Sequence, residues 1–514
     1  MTTRSRVRDV LCAAGLAAVL GLGAPAAHAD GNLSNVKHII IVMQENHSYD
    51  NYFGVLGYVP NSPFHNAKRS KGCDPSDHAC VDGLKCKAAA KTGVLTCKNK
   101  NPSNFAGSVR SFHEPRFCIG PDLDHGWSSS HKEGNFKRPN DVLRSSPNNG
   151  FVRVNAETED GQAFDHDTMG YYDDNDLPFY YDIAKTFAIS DRYFCDVIGP
   201  TFPNRSYLAA GTSFGHLTTG EIFPPTGGYK PITGTIYDRL DAAGVSWVDY
   251  YTDLPYSLIF RPAVLTEHQK SISTFAADAA AGTLPAVAFV DTGFLASQPI
   301  NGSNYETDEH PPANVRAGQY VVSQVMTALR NSPNWNDSII FLTYDEHGGY
   351  YDHVKPAAAD QGGADTPDGI QPGQCADASN PPSSEQPGGG VQCVDSSTID
   401  APGICPTFST TGPYPAECSS FDQLGFRVPL VAVSPFSKPH YVSHLVNSHT
   451  SFLALIEKRF GLQPLTARDA HANDFEDLFD FDNSPSLNTP LAVAAPLPRQ
   501  PPANVPGDQG CPFS

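Results

Sequence analysis

Two apolar runs in this chain end in the same chemistry. From His38 to Gly54 the sequence reads HIIIVMQENHSYDNYFG, with Ile39, Ile40, Ile41 and Val42 in an unbroken row. Such a row reads as a strand buried on both faces, the pattern of a parallel sheet covered by helices. Ser338 to Tyr344, SIIFLTY, is a second row of this kind, followed at once by Asp345-Glu346-His347-Gly348-Gly349-Tyr350-Tyr351-Asp352-His353. Side-chain oxygens thus stand where each strand stops: Glu45 and Asn46 after the first, Asp345 and Glu346 after the second. Open α/β sheets bind ligands beyond the carboxyl ends of their strands. Oxygen is also the donor that hard divalent cations prefer. Crowding Asp345, Glu346 and Asp352 costs repulsion unless a cation or solvent relieves it. Gly348 and Gly349 admit unusual dihedrals or close approach of the backbone. The competing reading is a solvated acidic turn with no ligand.

A third segment, Gly199-Pro200-Thr201-Phe202-Pro203-Asn204-Arg205, precedes a predicted helix. Pro203 suits a first helical turn, and Thr201 falls at or just before the N-cap. A helix N-terminus presents N–H groups and a positive dipole end to an oxyanion. A threonine there serves as a nucleophile when a metal or base activates it, or simply caps the helix. Arg205 is placed to neutralise phosphate charge or to pair with a carboxylate.

Together, ENHSYDNYFG at 45–54, TFPNR at 201–205 and DEHGGYYDH at 345–353 resemble the signature motifs of the phosphoesterase family that groups non-haemolytic phospholipases C with a type of bacterial acid phosphatase. The resemblance spans roughly Val36 to Leu462. It implies an α/β fold, an alkaline-phosphatase-like sandwich with a central, mostly parallel β-sheet flanked by helices. It implies one divalent metal ion, calcium or another hard cation, held by Glu45, Asn46, Thr201, Asp345 and Glu346, with Thr201 also attacking phosphorus. The family's first motif commonly has arginine and phenylalanine where this chain has His47 and Tyr49, neither of them a ligand. Two further clusters, DLDHGW at 122–127 and DEHPP at 308–312, resemble family positions that touch the phosphate or serve the leaving group. The resemblance names His125, His310 and His353, read as catalytic, and Asp308, read as substrate-binding; Arg205 is assigned to the substrate from its own segment. Neutral histidine accepts a proton and imidazolium returns it to a departing alkoxide. His347 and His449 are read as structural.

The N-terminus reads as an export signal over 1–29: Arg4, Arg6 and Arg8, an apolar Val10–Leu22, then Ala27-His28-Ala29 before Asp30. This predicts a secreted protein with no transmembrane anchor. Export makes the 12 cysteines informative. Cys73, Cys80, Cys86 and Cys97 form one cluster and Cys375, Cys393, Cys405 and Cys418 another, each expected to hold two disulfides of open connectivity. Cys118, Cys195 and Cys511 remain, with at least one unpaired. The net charge of −20 opposes nucleic acid or a generally anionic membrane as partner. It leaves a phosphate ester acceptable, since a bound cation inverts the local field.

Apolar runs alternate with helical patterns, as in an α/β fold. Strands are predicted at 36–43, 186–191, 245–250, 285–290, 338–344 and 428–434, and helices at 204–210, 234–243, 313–331 and 449–460. A catalytic domain over 30–483 carries polar insertions at about 62–110 and 356–421, read as loops tied by disulfides, and an extended tail follows over 484–514. The chain is therefore read as an exported, metal-dependent phosphoesterase. Its reaction is read as phospholipase C-type cleavage of a phospholipid through a phosphothreonine. The alternatives are an acid phosphatase acting on phosphomonoesters and a non-enzymatic calcium-binding surface protein.

Overall fold

The strand from His38 to Gln44 is buried along almost its whole length and takes the middle of an eight-stranded sheet. The computed structural model describes residues 33–498 apart from internal stretches, of which 136–146 and 380–420 are the longest. The strands of the central sheet, in chain order, are β1 (His38–Gln44), β2 (Ala188–Ser190), β3 (Trp247–Tyr251), β4 (Gln269–Ser271), β5 (Val287–Asp291), β6 (Ser338–Tyr344), β7 (Leu430–Val433) and β8 (Tyr441–Ser443). Their spatial order is β4-β3-β5-β1-β6-β7-β2-β8. All neighbours are parallel except that β7 runs antiparallel to β6 and β2.

Helices cover the sheet: α1 (Tyr49–Phe53), α2 (Trp127–Gly134), α3 (Phe151–Thr158), α4 (Pro178–Thr186), α5 (Thr201–Ala210), α6 (Ile236–Ala243), α7 (Phe275–Ala281), α8 (Val315–Arg330) and α9 (Thr450–Phe460). The fold is mixed α/β, as the alternating pattern predicts. All six predicted strands lie in the central sheet, and each predicted helix is present. The helix expected at 204–210 starts earlier, at Thr201, because Pro200 takes the N-cap and Pro203 fits the first turn. Strands β4 and β8 escape prediction because three residues at a sheet edge carry no periodicity.

The register positions the site. Gln44 pairs with Tyr344 and Met43 with Asp291, so β1, β5 and β6 end level with one another. Asp345 N–H donates to Gln44 O at 3.0 Å, carrying the alignment one residue past the strands.

The insertion at 62–110 is more ordered than its composition suggests. It folds into two-residue and three-residue strand pairs closed by Cys73–Cys80 and Cys86–Cys97. The two disulfides expected of this cluster are present, and short strand pairs form between them because Val81, Leu84 and Cys97 are buried against the main core. Cys118 is also disulfide-bonded, and Cys195 is buried and free. The predicted signal segment, the second cysteine cluster from Cys375 to Cys418, and Cys511 lie outside the described residues. The start of the tail lies along the surface: Trp335 Nε1 donates to Leu487 O at 3.2 Å and Arg330 Nε to Thr489 O at 3.0 Å, and residues from 499 on lie outside the described ones. Among the described residues no helix is long and apolar enough to cross a membrane.

Candidate active site

The three motifs meet at the carboxyl edge of the sheet. Asn46 takes a left-handed φ of 64°, which asparagine tolerates, and its N–H donates to Asp345 Oδ1 at 3.0 Å. Gly348 passes directly over this turn. A Cβ at Gly348 would stand 2.1 Å from Asn46 O, so only glycine fits. Glu346 Oε2 accepts from Gly348 N–H at 2.8 Å and lies 3.1 Å from His347 Nδ1. His347 Nε2 is held in turn by Glu133 at 2.7 Å, and His449 Nε2 donates to Asp345 O at 2.6 Å. Both histidines brace the acidic pair from behind, as a structural role requires.

Three oxygens in this cluster accept no hydrogen bond from any described residue although they are fully buried: Asn46 Oδ1, Asp345 Oδ2 and Glu346 Oε1. Their nearest cations are Arg205 Nε, 3.8 Å from Asp345 Oδ2, and His125 Nε2, 3.6 Å from Glu346 Oε1. Leaving polar atoms buried and unpaired is costly, so such a group calls for a ligand. An amide oxygen and two carboxylate oxygens fit a hard divalent cation. Glu45 is turned to Arg205, at 3.0 Å. The carboxylates of Glu45, Asp345 and Glu346 stand too far apart to be within 4.8 Å of one another.

In front of this cluster opens a cavity of about 380 Å³. Its polar wall includes Glu45, His125, Thr201, Asp308 and His310; its apolar wall includes Leu254, Tyr256, Ile259 and Phe294. Thr201 is the first residue of α5, after Pro200 at the N-cap, and the next N–H, that of Phe202, donates to Thr219 Oγ1 at 3.0 Å. The loop with Asp308 and His310 is tied to β1 by Glu45 N–H donating to Asp308 O at 2.8 Å. Asp122, part of a sequence cluster but not itself singled out, faces both histidines, 3.8 Å from His125 Nδ1 and 3.7 Å from His310 Nε2.

Charge is crowded here. Burial and then the neighbouring Asp345 push Glu45 well above the ordinary carboxylate range. Burial and then Glu346 push Asp345 up to about 6. Burial acts on Glu346 too, but His125 and His347 outweigh it and hold it low. Burial presses His125 toward neutrality, yet Glu346, Asp122 and Asp345 drive it up to about 10.

Two residues assigned from sequence do other work. Arg205 lines the cavity, but its guanidinium is committed to Glu45, to Asp291 Oδ1 at 3.2 Å and to Met43 O at 3.4 Å. It balances buried carboxylates at the ends of β1 and β5, the carboxylate-pairing role its motif also offered. His353 does not line the cavity. Its Nδ1 lies 2.7 Å from Asp50 Oδ2 and its Nε2 3.3 Å from Asp82 Oδ1, beside Arg427 and Asp352. It clips the disulfide-tied insertion, through Asp82, to the first motif, through Asp50.

That clip has a pH signature. Burial opposes protonation of His353, but Asp50 and Asp82 overcome it and raise the ring from 6.5 to about 9. A raised folded-state pKa gives stability that is complete below about 6.5 and lost as pH rises through about 9. The span corresponds to about 3 kcal/mol at most. The melting temperature should therefore fall between those pH values, and His353→Asn should flatten the fall. An unchanged slope in the variant contradicts the assignment.

Residues 36–463 match the model of the Phosphoesterase family. The chain belongs to the phosphoesterase family. Among curated relatives, this phosphoesterase is 29% identical over 487 residues to Non-specific phospholipase C4 of Arabidopsis thaliana, covering 90% of this chain and 75% of that one. It is 30% identical over 481 residues to Non-specific phospholipase C5 of the same plant, covering 90% and 77%. It is 29% identical over 553 residues to Phospholipase C B of Mycobacterium tuberculosis, covering 97% and 90%. Among solved structures, human ectonucleotide pyrophosphatase / phosphodiesterase 5 aligns with a TM-score of 0.30 and 9% identity, over 59% of this chain and 94% of that one, too loosely to bear on the fold. The phosphoesterase is thus a hydrolase acting on phosphate esters.

Proposed function

We propose that this phosphoesterase is an exported, metal-dependent phospholipase C working on an alkaline-phosphatase-like core. One observation carries the reading: the three unpaired buried oxygens of Asn46, Asp345 and Glu346 lie behind a cavity that also presents the Thr201 hydroxyl. Export is supported by the signal-like residues 1–29 and by disulfides in the first insertion.

Asn46, Asp345 and Glu346, with Glu45 and Thr201 drawn in from the cavity wall, would hold one hard divalent cation, calcium, magnesium or manganese. When bound, it supplies positive charge that acidifies a hydroxyl and offsets the phosphate oxygens. Thr201 Oγ attacks phosphorus in line and loses its proton to solvent, forming a P–Oγ bond as the ester P–O bond breaks. The N-terminus of α5 lends its dipole to the non-bridging oxygens. His125, on the cavity wall, donates to one of them. His310 gives its proton to the departing alcohol oxygen, and Asp308 shapes the pocket around it. Water then attacks the phosphothreonine in line and the Thr201 hydroxyl returns. Arg205 and His353 are left out of these steps because their partners are already inside the protein.

The apolar wall favours a phospholipid over a small monoester, since it gives the glycerol and acyl carbons a surface to cover. A calcium-binding surface protein has no use for a helix-terminal hydroxyl facing its ion. Phosphatidylcholine in mixed micelles and p-nitrophenyl phosphate should be compared with and without chelator. Diacylglycerol and phosphocholine are expected from the lipid, and chelation should stop their release. Turnover of the monoester alone would make the protein an acid phosphatase, and turnover of neither would make it a binding protein.

A further inference from the structure

The loop bearing Asp308 and His310 has neither helix nor strand to stiffen it. Two of its cavity-lining residues, Asp308 and His310, flank Glu309, which is completely buried. Glu309 Oε1 accepts from Gln44 Nε2 at 2.9 Å and from the Tyr180 hydroxyl at 2.5 Å. Its Oε2 accepts from the Tyr344 hydroxyl at 2.7 Å and from the Tyr52 hydroxyl. Its backbone carbonyl accepts from His47 Nε2 at 3.0 Å.

The donors come from separate elements. Gln44 is the last residue of β1 and Tyr344 the last of β6; Tyr52 lies on α1 and Tyr180 on α4. Gln44 directly precedes Glu45, and Tyr344 directly precedes Asp345. One carboxylate therefore links both strand ends to the loop that carries His310. The fold accepts costs to keep it there. Glu309 holds a left-handed φ of 73°, a strained state for a residue with a side chain. Helix α8 leaves room for it with Gly318, where a Cβ would stand 2.2 Å from Glu309 Cγ. All four side-chain donors are neutral, so a buried carboxylate is met by hydrogen bonds alone.

We infer that Glu309 is a positioning residue for the reaction, its caged carboxylate fixing the 308–310 loop so that His310 faces the strand-end oxygens. The inference rests on the assignment of His310 to the leaving alcohol. Displacing a reacting group by an ångström costs on the order of 100-fold in rate.

The test is a double-mutant cycle of Glu309→Gln and His310→Asn on phosphatidylcholine. Glutamine keeps the length and one acceptor oxygen, and a tyrosine hydroxyl can turn to accept from its amide. Glu309→Gln is expected to lower kcat by about 10- to 100-fold with little change in KM. The double variant is expected to be no slower than His310→Asn alone, because the two losses are one loss. On an aryl ester, whose leaving group departs without a proton, the Glu309→Gln defect should shrink. Losses that multiply, an equal defect on aryl and alkyl esters, or wild-type kcat in folded Glu309→Gln would each overturn the inference. Full activity in His310→Asn would remove the assignment of His310 itself and the inference with it, whereas multiplied losses leave that assignment standing. If Glu309→Gln does not fold, Tyr180→Phe, which deletes one donor to the carboxylate, goes through the same cycle against the same criteria.

Discussion

Thr201→Ala should lower turnover by roughly 1,000-fold or more while the protein stays folded. The substitution deletes the attacking oxygen and little else. Were Thr201 a helix cap, its loss would cost about 0.5–2 kcal/mol and spare the chemistry. The structure separates the two roles, since Pro200 holds the N-cap position and the first-turn N–H of Phe202 donates to Thr219 Oγ1 at 3.0 Å rather than to Thr201. Melting temperature should therefore move little. Thr201→Ser keeps a hydroxyl at the same place and should retain part of the activity. Full activity in folded Thr201→Ala would remove the nucleophile from the proposed mechanism and leave the acidic cluster without its catalytic role.

Removing the cation should be nearly as damaging. Asn46 Oδ1, Asp345 Oδ2 and Glu346 Oε1 have no hydrogen-bond partner among the described residues, and Arg205 and His125 are the nearest positive charges to the two carboxylates. A lost Lewis acid is worth several kcal/mol, about 1,000-fold in rate. Exhaustive dialysis against a chelator should abolish hydrolysis of phosphatidylcholine, and adding back calcium, magnesium or manganese singly should restore it and rank the ions. Asp345→Asn should reproduce the loss and weaken recovery, since it removes charge from the cluster while keeping its shape. Undiminished turnover after verified metal removal contradicts the metal assignment.

The parts of this site that sequence discloses are those whose meaning is local. A run such as Ile39–Val42 announces a buried strand, and a carboxylate just beyond it announces a sheet edge. That rule places Glu45, Asn46, Asp345 and Glu346 at a sheet edge, and β1 and β6, which they follow, are neighbours. What stayed hidden depends on strand order. Arg205 reads as a partner of phosphate or of a carboxylate, and only the strand order, with β5 beside β1, brings Asp291 to its guanidinium. His353 reads as catalytic until the insertion is seen folded back, placing Asp82 on its ring. Glu309 stood inside a noted cluster, yet its cage draws on residues 52, 180 and 344, too far apart in sequence to suggest one another. The first insertion misled through composition, because two disulfides and a few buried side chains order a segment that its polarity would leave loose.

The stereochemistry at phosphorus tests the central claim most directly. Each in-line displacement inverts phosphorus. Attack by Thr201 followed by attack of water inverts it twice. A substrate made chiral at phosphorus with sulfur and oxygen isotopes should therefore give product with retained configuration. Inversion would mean that water attacks the ester directly and that no phosphothreonine forms.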